Sequence, residues 1–382
     1  MLRRSVVLTG RIVVVALIFL SAFSADAAAR AATRVPRYPV LGVYVGSGQS
    51  AKVGQFTRLV RVRPTYVMEF TDSTSWATIS DPSWQLERWK GTPYTMIWGV
   101  SMLPTSGATL ATGATGAYDA YYRTLAANFV AAGAAGAVIR LGWEFNGTSF
   151  TWAAAGQSAA FVAYWQHVVT AMRAVPGARF TFVWDPNIGG DLPLAAYYPG
   201  NAFVDAIGMD VYDSEWQTYP GATAEFAKLT NEPNGLSWLA SFASLHGKPI
   251  QIPEWGLGWG PSAPGSGPIT VKGSEVSGGD NPTFVSLMSS WMTANHVTEA
   301  TYWDYGTSAV SNTTNTKTLQ ALRTALVPIA SGTPGVTRTS GGSGDGPLVL
   351  VAAAVVVAAV GAGLWSFRRS WRSPGRHSIT AR

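Results

Sequence analysis

The sequence predicts an α/β fold, a (β/α)8 TIM barrel, on three observations. Eight short β-rich runs recur between residues 39 and 306, helical periods fill most of the gaps, and acidic residues lie near the ends of most runs. Strands alternating with helices call for a parallel sheet covered by helices, and eight such units suggest closure into a barrel. An open doubly wound sheet is the alternative. It would normally carry a glycine-rich nucleotide loop after the first strand, and GVYVGSG (42–48) is a weak match to one.

In order, the expected strands are PVLGVYVG (39–46), TYVMEF (65–70), YTMIWGVSM (94–102) and GAVIRLGWEFN (136–146). RFTFVWDPN (179–187), VDAIGMDVYD (204–213), PIQIPEWG (249–256) and EATYWDYG (299–306) complete the set. Between them, Phe161, Trp165, Val168 and Met172 follow an i, i+4, i+7, i+11 stripe, the spacing of one helix face. Similar helical periods fill 117–133, 236–246, 282–296 and 316–326.

At 382 residues the chain accommodates such a domain, about 250 residues, with further segments at each end. Residues 37–330 read as one globular domain. Residues 1–29 have a basic start, the apolar stretch IVVVALIFL and an Ala25-Asp26-Ala27 site, the layout of a secretory signal peptide. Residues 331–346 are rich in Gly, Ser and Thr and read as a flexible linker. Residues 347–367 carry no charge and have the length of a transmembrane helix. The basic tail, 368–382, places that side in the cytoplasm and the main domain outside the cell, tethered to the membrane.

The net charge of +6 is concentrated in the two ends, with no run of Lys or Arg between them, so a nucleic-acid partner is not expected. The absence of cysteine excludes disulfides, zinc-thiolate sites and a cysteine nucleophile. His167, His246, His296 and His377 form no metal-ligand pattern, so neither metal nor cofactor is expected. GTSAV around Ser308 lacks the glycine framing of a nucleophile elbow. The 16 Trp and 14 Tyr exceed what a core of this size needs. Such rings suit flat, amphipathic ligands, although core packing accounts for many of them.

Glu69, Glu144, Asp185, Asp210, Glu254 and Asp304 lie near strand ends, where a barrel carries its chemistry. Strand alternation puts Arg140, Gly142, Glu144 and Asn146 on the inner face, and sends Leu141, Trp143 and Phe145 outward. Glu254 likewise points inward above Ile250 and Ile252. Two glutamates above one cavity suit glycoside hydrolysis: one protonates the leaving oxygen while the other attacks the anomeric carbon or activates water. Aromatic surroundings favour the neutral form of Glu144. Arg140 is expected to partner a carboxylate.

RLGWEFNG (140–147) after the fourth strand and IPEWG (252–256) after the seventh resemble motifs of family 26 glycoside hydrolases. These are mostly β-mannanases within the clan of retaining (β/α)8 hydrolases, and the resemblance spans about residues 39–328. It implies Glu144 as general acid/base, Glu254 as nucleophile and Tyr212 as the tyrosine that hydrogen-bonds the nucleophile. It also implies Trp303 as the platform under the cleaved sugar, with Trp184 and Asn187 in the cleft. The family usually has His, and its clan Asn, where this chain has Trp143; an indole there can donate a hydrogen bond but not accept one. Trp98, Trp255 and Trp259 are further candidates for stacking sugar.

The expectation is therefore a monomeric, membrane-anchored extracellular glycosidase cleaving a mannan-like β-linked polysaccharide with retention. The alternative is a catalytically inactive barrel that binds carbohydrate at the cell surface or serves as an envelope protein.

Overall fold

The computed structural model describes residues 39–213, 221–258 and 279–326. The expected signal peptide, linker, transmembrane helix and cytoplasmic tail lie outside the described residues, as does Trp259. Among the described residues, no helix is long and apolar enough to cross a membrane.

Nine parallel strands form one curled, TIM-like sheet. They are β1 (Val40–Tyr44), β2 (Tyr66–Phe70), β3 (Thr95–Val100), β4 (Val138–Leu141), β5 (Thr181–Trp184), β6 (Ala206–Ile207), β7 (Val211–Asp213), β8 (Gln251–Leu257) and β9 (Glu299–Trp303). Their order is β6-β5-β4-β3-β2-β1-β9-β8-β7, so the two ends of the sheet are consecutive pieces of chain. Together β6 and β7 occupy the run expected as one sixth strand, interrupted at 208–210. β6 pairs with β5, β7 pairs with β8, and Ile207 bridges to Ile250 just before β8. Each of the eight expected runs therefore contributes to the sheet.

The helices form where period and end signals agree. Ser158–Arg173 buries Phe161, Trp165, Val168 and Met172, the stripe read from the sequence. Leu236–His246 stops at Gly247, whose φ of 61° terminates a helix without a Cβ clash. Pro282–Ala294 begins with Pro at its first position, and the Asn281 side chain accepts from Phe284 N.

Two apolar layers result. A large cluster combines helix residues such as Phe56, Phe129 and Phe161 with strand residues Val43, Trp98, Ile139, Phe182, Ile252 and Tyr302, and so fills the space between sheet and helices. A smaller cluster, Tyr44, Met68, Ile97, Val138, Val183 and Ala206, comes almost entirely from strands and lines the inner face. The site stands directly above it, because Arg140 follows Val138, and Asp185 follows Val183, by one strand period.

Two local departures from regular strand geometry set the site. β4 ends at Leu141, and the chain turns, with φ of 53° at Gly142 and 52° at Glu144. The alternation expected through residue 146 therefore holds only as far as Leu141. Phe145 does pack toward the helices, 4.5 Å from Phe161 by ring centroids, but Trp143 does not. It lies instead against Phe70, Phe150 and Trp152.

The second departure is in β8. Ile252 pairs with Ala300 and Trp255 with Tyr302, three residues against two, a one-residue bulge. Ile252 and Trp255 both join the outer cluster. Ile250 and Ile252 are thus outer residues rather than inner filling beneath Glu254. Pro253 sits in the bulge, where a missing N–H is tolerated.

Candidate active site

Arg140 organises the site. Its guanidinium is fully buried at the end of β4 and reaches three carboxylates from three other strand ends. Nε donates to Asp185 Oδ2 at 2.7 Å, Nη2 to Asp210 Oδ2 at 2.6 Å, and Nη1 to Glu254 Oε1 at 2.7 Å. Nη2 also lies 2.6 Å from Asp185 Oδ2, and Nη1 lies 3.1 Å from Met68 Sδ on the inner layer beneath. A planar fork with five N–H donors is suited to such convergence, whereas a lysine could not hold all three geometries.

Glu254 is held from both sides. While Arg140 serves Oε1, the Tyr212 hydroxyl from β7 donates to Oε2 at 2.7 Å. Both donors complement a carboxylate. Burial, followed by the nearby Glu254 and Asp210 charges, keeps the Tyr212 phenol well above its ordinary pKa, so it remains a donor.

Glu144 is half-buried in the turn after β4. Its left-handed backbone costs a non-glycine residue on the order of 1–3 kcal/mol. The surrounding loop sustains it, as Glu144 N donates to Asp185 O at 2.8 Å. The Asn146 side chain donates to Asn187 O and accepts from Asn187 N, both at 2.8 Å, tying the loops after β4 and β5 together.

Three carboxyl groups thus bond one buried guanidinium and a fourth, Glu144, lies within its field, too little positive charge for all to ionise. Burial, then the charge of Glu254, raises Glu144 to about 8 against the opposing pull of Arg140. Burial raises Asp185 to about 6, with Arg140 holding it down, and lifts Asp210 well above the usual carboxylate range. For Arg140, burial works against the charged form, but Asp185, Asp210 and Glu254 more than offset it and the pKa is raised. Glu144 therefore keeps its proton at neutral pH, while the Glu254 oxygens face the Arg140 and Tyr212 donors.

Aromatic rings flank this cluster. Trp303, half-buried at the end of β9, stacks on Tyr44 at 4.0 Å and meets the Tyr212 ring edge-on at 6.2 Å. Phe70 joins Tyr44, Trp303 and Trp143, with the Arg140 guanidinium 6.0 Å from its centroid. Trp143 is therefore beside the site, packed among aromatic neighbours and 8% exposed.

Three tryptophans expected to contact sugar do not reach the cleft. Trp98 is fully buried against Phe129, and Trp184 packs on Phe145 and Phe242 while donating to Tyr197 O. Trp255 is buried against Tyr302. All three occupy the outward parity of their strands and fill the helix-facing core. Two of the six strand-end acids are also absent from the cluster. Glu69 accepts from Ser47, Gly48 and Trp89, and Asp304 accepts from Ser311 N, so both fasten loops. Asp185 and Asp210 were legible as strand-end acids, but their roles as partners of Arg140 were not assigned. The signal was Arg140 itself, since a buried guanidinium requires counter-charges.

Residues 131–248 match a family model described as glycosyl hydrolase family 26. No curated protein sequence matches the chain. Among solved structures, one described as fungal β-1,4-galactanases aligns with 12% identity and a TM-score of 0.51 over 74% of this chain and 98% of that chain, a likeness of fold. A GH26 β-mannanase from Bacteroides ovatus aligns at 14% identity and a TM-score of 0.49, covering 75% of this chain and 88% of that one. A Bacillus subtilis mannanase has the same identity, TM-score and coverage of this chain, with 85% of its own length covered. The matched span carries Arg140, Glu144, Asp185, Asp210 and Tyr212, and over residues 131–248 the chain is similar to glycosyl hydrolase family 26.

Proposed function

We propose that this chain is a retaining glycoside hydrolase acting on a mannan-like β-linked polysaccharide, with Glu144 as acid/base and Glu254 as nucleophile. The observation that carries the proposal is the contrast between the two glutamates. Glu254 receives donors on both oxygens, whereas Glu144 is raised to about 8 by burial and by Glu254. A carboxyl that holds its proton beside one whose oxygens both face donors suits the division into acid and nucleophile.

In the first step, Glu144 gives its proton to the glycosidic oxygen as Glu254 attacks the anomeric carbon. The leaving sugar departs as an alcohol, and a covalent glycosyl ester forms on Glu254. Glu144, now ionised, then takes a proton from water as the water attacks the same carbon, and Glu254 is released as a carboxylate. Arg140 and Tyr212 orient the nucleophile in both steps. Trp303 and Tyr44 supply an apolar surface for the sugar ring at the cleavage point.

We also place the protein outside the cell, tethered by residues 347–367; protease treatment of intact cells tests this by removing the domain while sparing the tail. The activity is tested by reducing-sugar release from mannan, xylan and mixed-linkage glucan. Release from mannan, lost in Glu144→Ala and Glu254→Ala, is the expected result. A wild-type chain that binds one of these glycans but cleaves none would favour the carbohydrate-binding alternative, in which Trp143 replaces the usual polar residue before the acid.

A further inference from the structure

Among the described residues, four large apolar side chains are prominently exposed, and two of them, Trp84 (53%) and Tyr305 (50%), rest on the same short loop after β1. That loop is the GSG of residues 46–48, which has no nucleotide-binding context here. Tyr305 lies against Gly46, where an added Cβ would come within 3.1 Å of its ring. Trp84 lies against Gly48, where a Cβ would sit 2.5 Å from Trp84 Cη2. Both glycines also have positive φ, 97° and 65°, so the loop is shaped to admit the two rings.

The seat is rigidly held. Ser47 Oγ donates to Glu69 Oε1 at 2.6 Å, while Gly48 N and Trp89 Nε1 donate to Glu69 Oε2 at 2.7 and 2.8 Å. A fully buried carboxylate thus fastens the loop from below. The Arg88 guanidinium lies 5.3 Å from the Trp84 centroid and restrains that ring.

The rings are also continuous with the candidate active site. Tyr212, bonded to Glu254, meets Trp303; Trp303 stacks on Tyr44; and Tyr305 contacts Tyr44 at 5.6 Å and Trp303 at 6.4 Å. Trp84 lies against Gly48, two residues along the same loop from the Gly46 that Tyr305 touches. Exposed rings resting on a polar loop beside the site suit a chain of hexose units. Each unit has an apolar face for a ring and hydroxyls for solvent and backbone.

We infer that Tyr305 and Trp84 are distal stacking platforms that extend the cleft along one direction from the cleavage point and bind successive units of a β-1,4-linked hexose chain. This rests on the glycoside-hydrolase reading of Glu144 and Glu254 and adds where the longer substrate runs. Selectivity for long chains over short ones is the consequence, since only a long chain reaches both rings.

The test uses the full chain with β-1,4-linked manno-, gluco- and galacto-oligosaccharides of three and six units, measuring both cleavage and calorimetric binding. In the wild type, kcat/KM for the six-unit substrate exceeds that for the three-unit one. Tyr305→Ala and Trp84→Ala each reduce this ratio by about tenfold, the worth of about 1.4 kcal/mol per stacked ring, while Tyr305→Phe retains it. A ratio unaltered by both alanine variants, with cleavage intact, overturns the platforms and leaves the hydrolase reading standing. Six-unit binding that weakens in both variants, with no cleavage in the wild type, supports the platforms and removes the hydrolase reading. Absence of both binding and cleavage overturns the two together.

Discussion

The Arg140 guanidinium and the Glu254 carboxylate lie 2.7 Å apart although 114 residues separate them in sequence. One stands at the end of β4 and the other within the bulge of β8. The same guanidinium is shared with Asp185 and Asp210, so Glu254 is positioned by a buried ionic cluster rather than by a single contact.

Removal of this cation is expected to be severe. Arg140→Leu leaves three carboxyl groups in a space without their counter-charge. Breaking a buried pair from one side costs about 3–5 kcal/mol. Denaturant unfolding is predicted to show a stability loss of that order, together with loss of glycan cleavage. A variant of wild-type stability would contradict the cluster.

Tyr212→Phe isolates one hydrogen bond to Glu254 Oε2 while keeping the ring. A hydrogen bond to a charged group is worth about 1.5–3 kcal/mol, so kcat is predicted to fall roughly 10- to 100-fold with little change in KM. An equal loss confined to KM would instead make Tyr212 a substrate-binding residue.

In the proposed mechanism Glu144 is the general acid, so its ionisation sets the alkaline limb of the pH profile. Its protonated form, favoured by burial and by Glu254, is the form that begins the reaction, so kcat/KM is predicted to decline as pH rises through about 8. In Glu144→Gln this alkaline limb disappears along with most of the activity on substrates that need a proton on the leaving oxygen. Aryl glycosides with acidic leaving groups are predicted to lose less, because they depart without protonation.

The same group carries a stability consequence. The folded-state pKa of Glu144 is raised above its ordinary value of 4.5 to about 8. Its contribution is therefore fully present below 4.5 and is lost as pH rises toward 8, where the folded carboxyl must finally ionise. Glu144→Gln, which never ionises, is predicted to match the wild type near pH 4.5 and to melt a few degrees higher at pH 8. A variant less stable than wild type at pH 8 would show that the ionised carboxyl has a stabilising partner.

Much of the fold was legible because each strand run alternates or is uniformly apolar, and the helices between them carry clear stripes and end signals. Phe161, Trp165, Val168 and Met172 were read from spacing alone and all four are buried. What spacing could not reveal was where regular geometry stops. The sequence carries no local sign that Glu144 adopts φ of 52°, so alternation placed Trp143 outward when the turn brings it beside Phe70. Nor does IPEWG show its bulge, which reversed the assigned faces of Ile250 and Ile252. Trp98 and Trp184 illustrate a different limit: composition indicates surplus tryptophan, but only strand parity decides which rings are core. The charge cluster lay between these cases, with Arg140, Asp185, Asp210 and Glu254 each visible at a strand end but their convergence set by the curl of the sheet.

Trapping the intermediate distinguishes the proposed roles of Glu254, as the group that attacks the anomeric carbon, and Glu144, as the proton donor. The full chain is incubated with an activated 2-deoxy-2-fluoro-β-mannoside, digested and mapped by mass spectrometry, while the first-released anomer from mannohexaose is followed by NMR. The expected results are a fluoroglycosyl ester on Glu254 and initial release of the β anomer. Attachment at any other residue, or initial release of the α anomer, would contradict it.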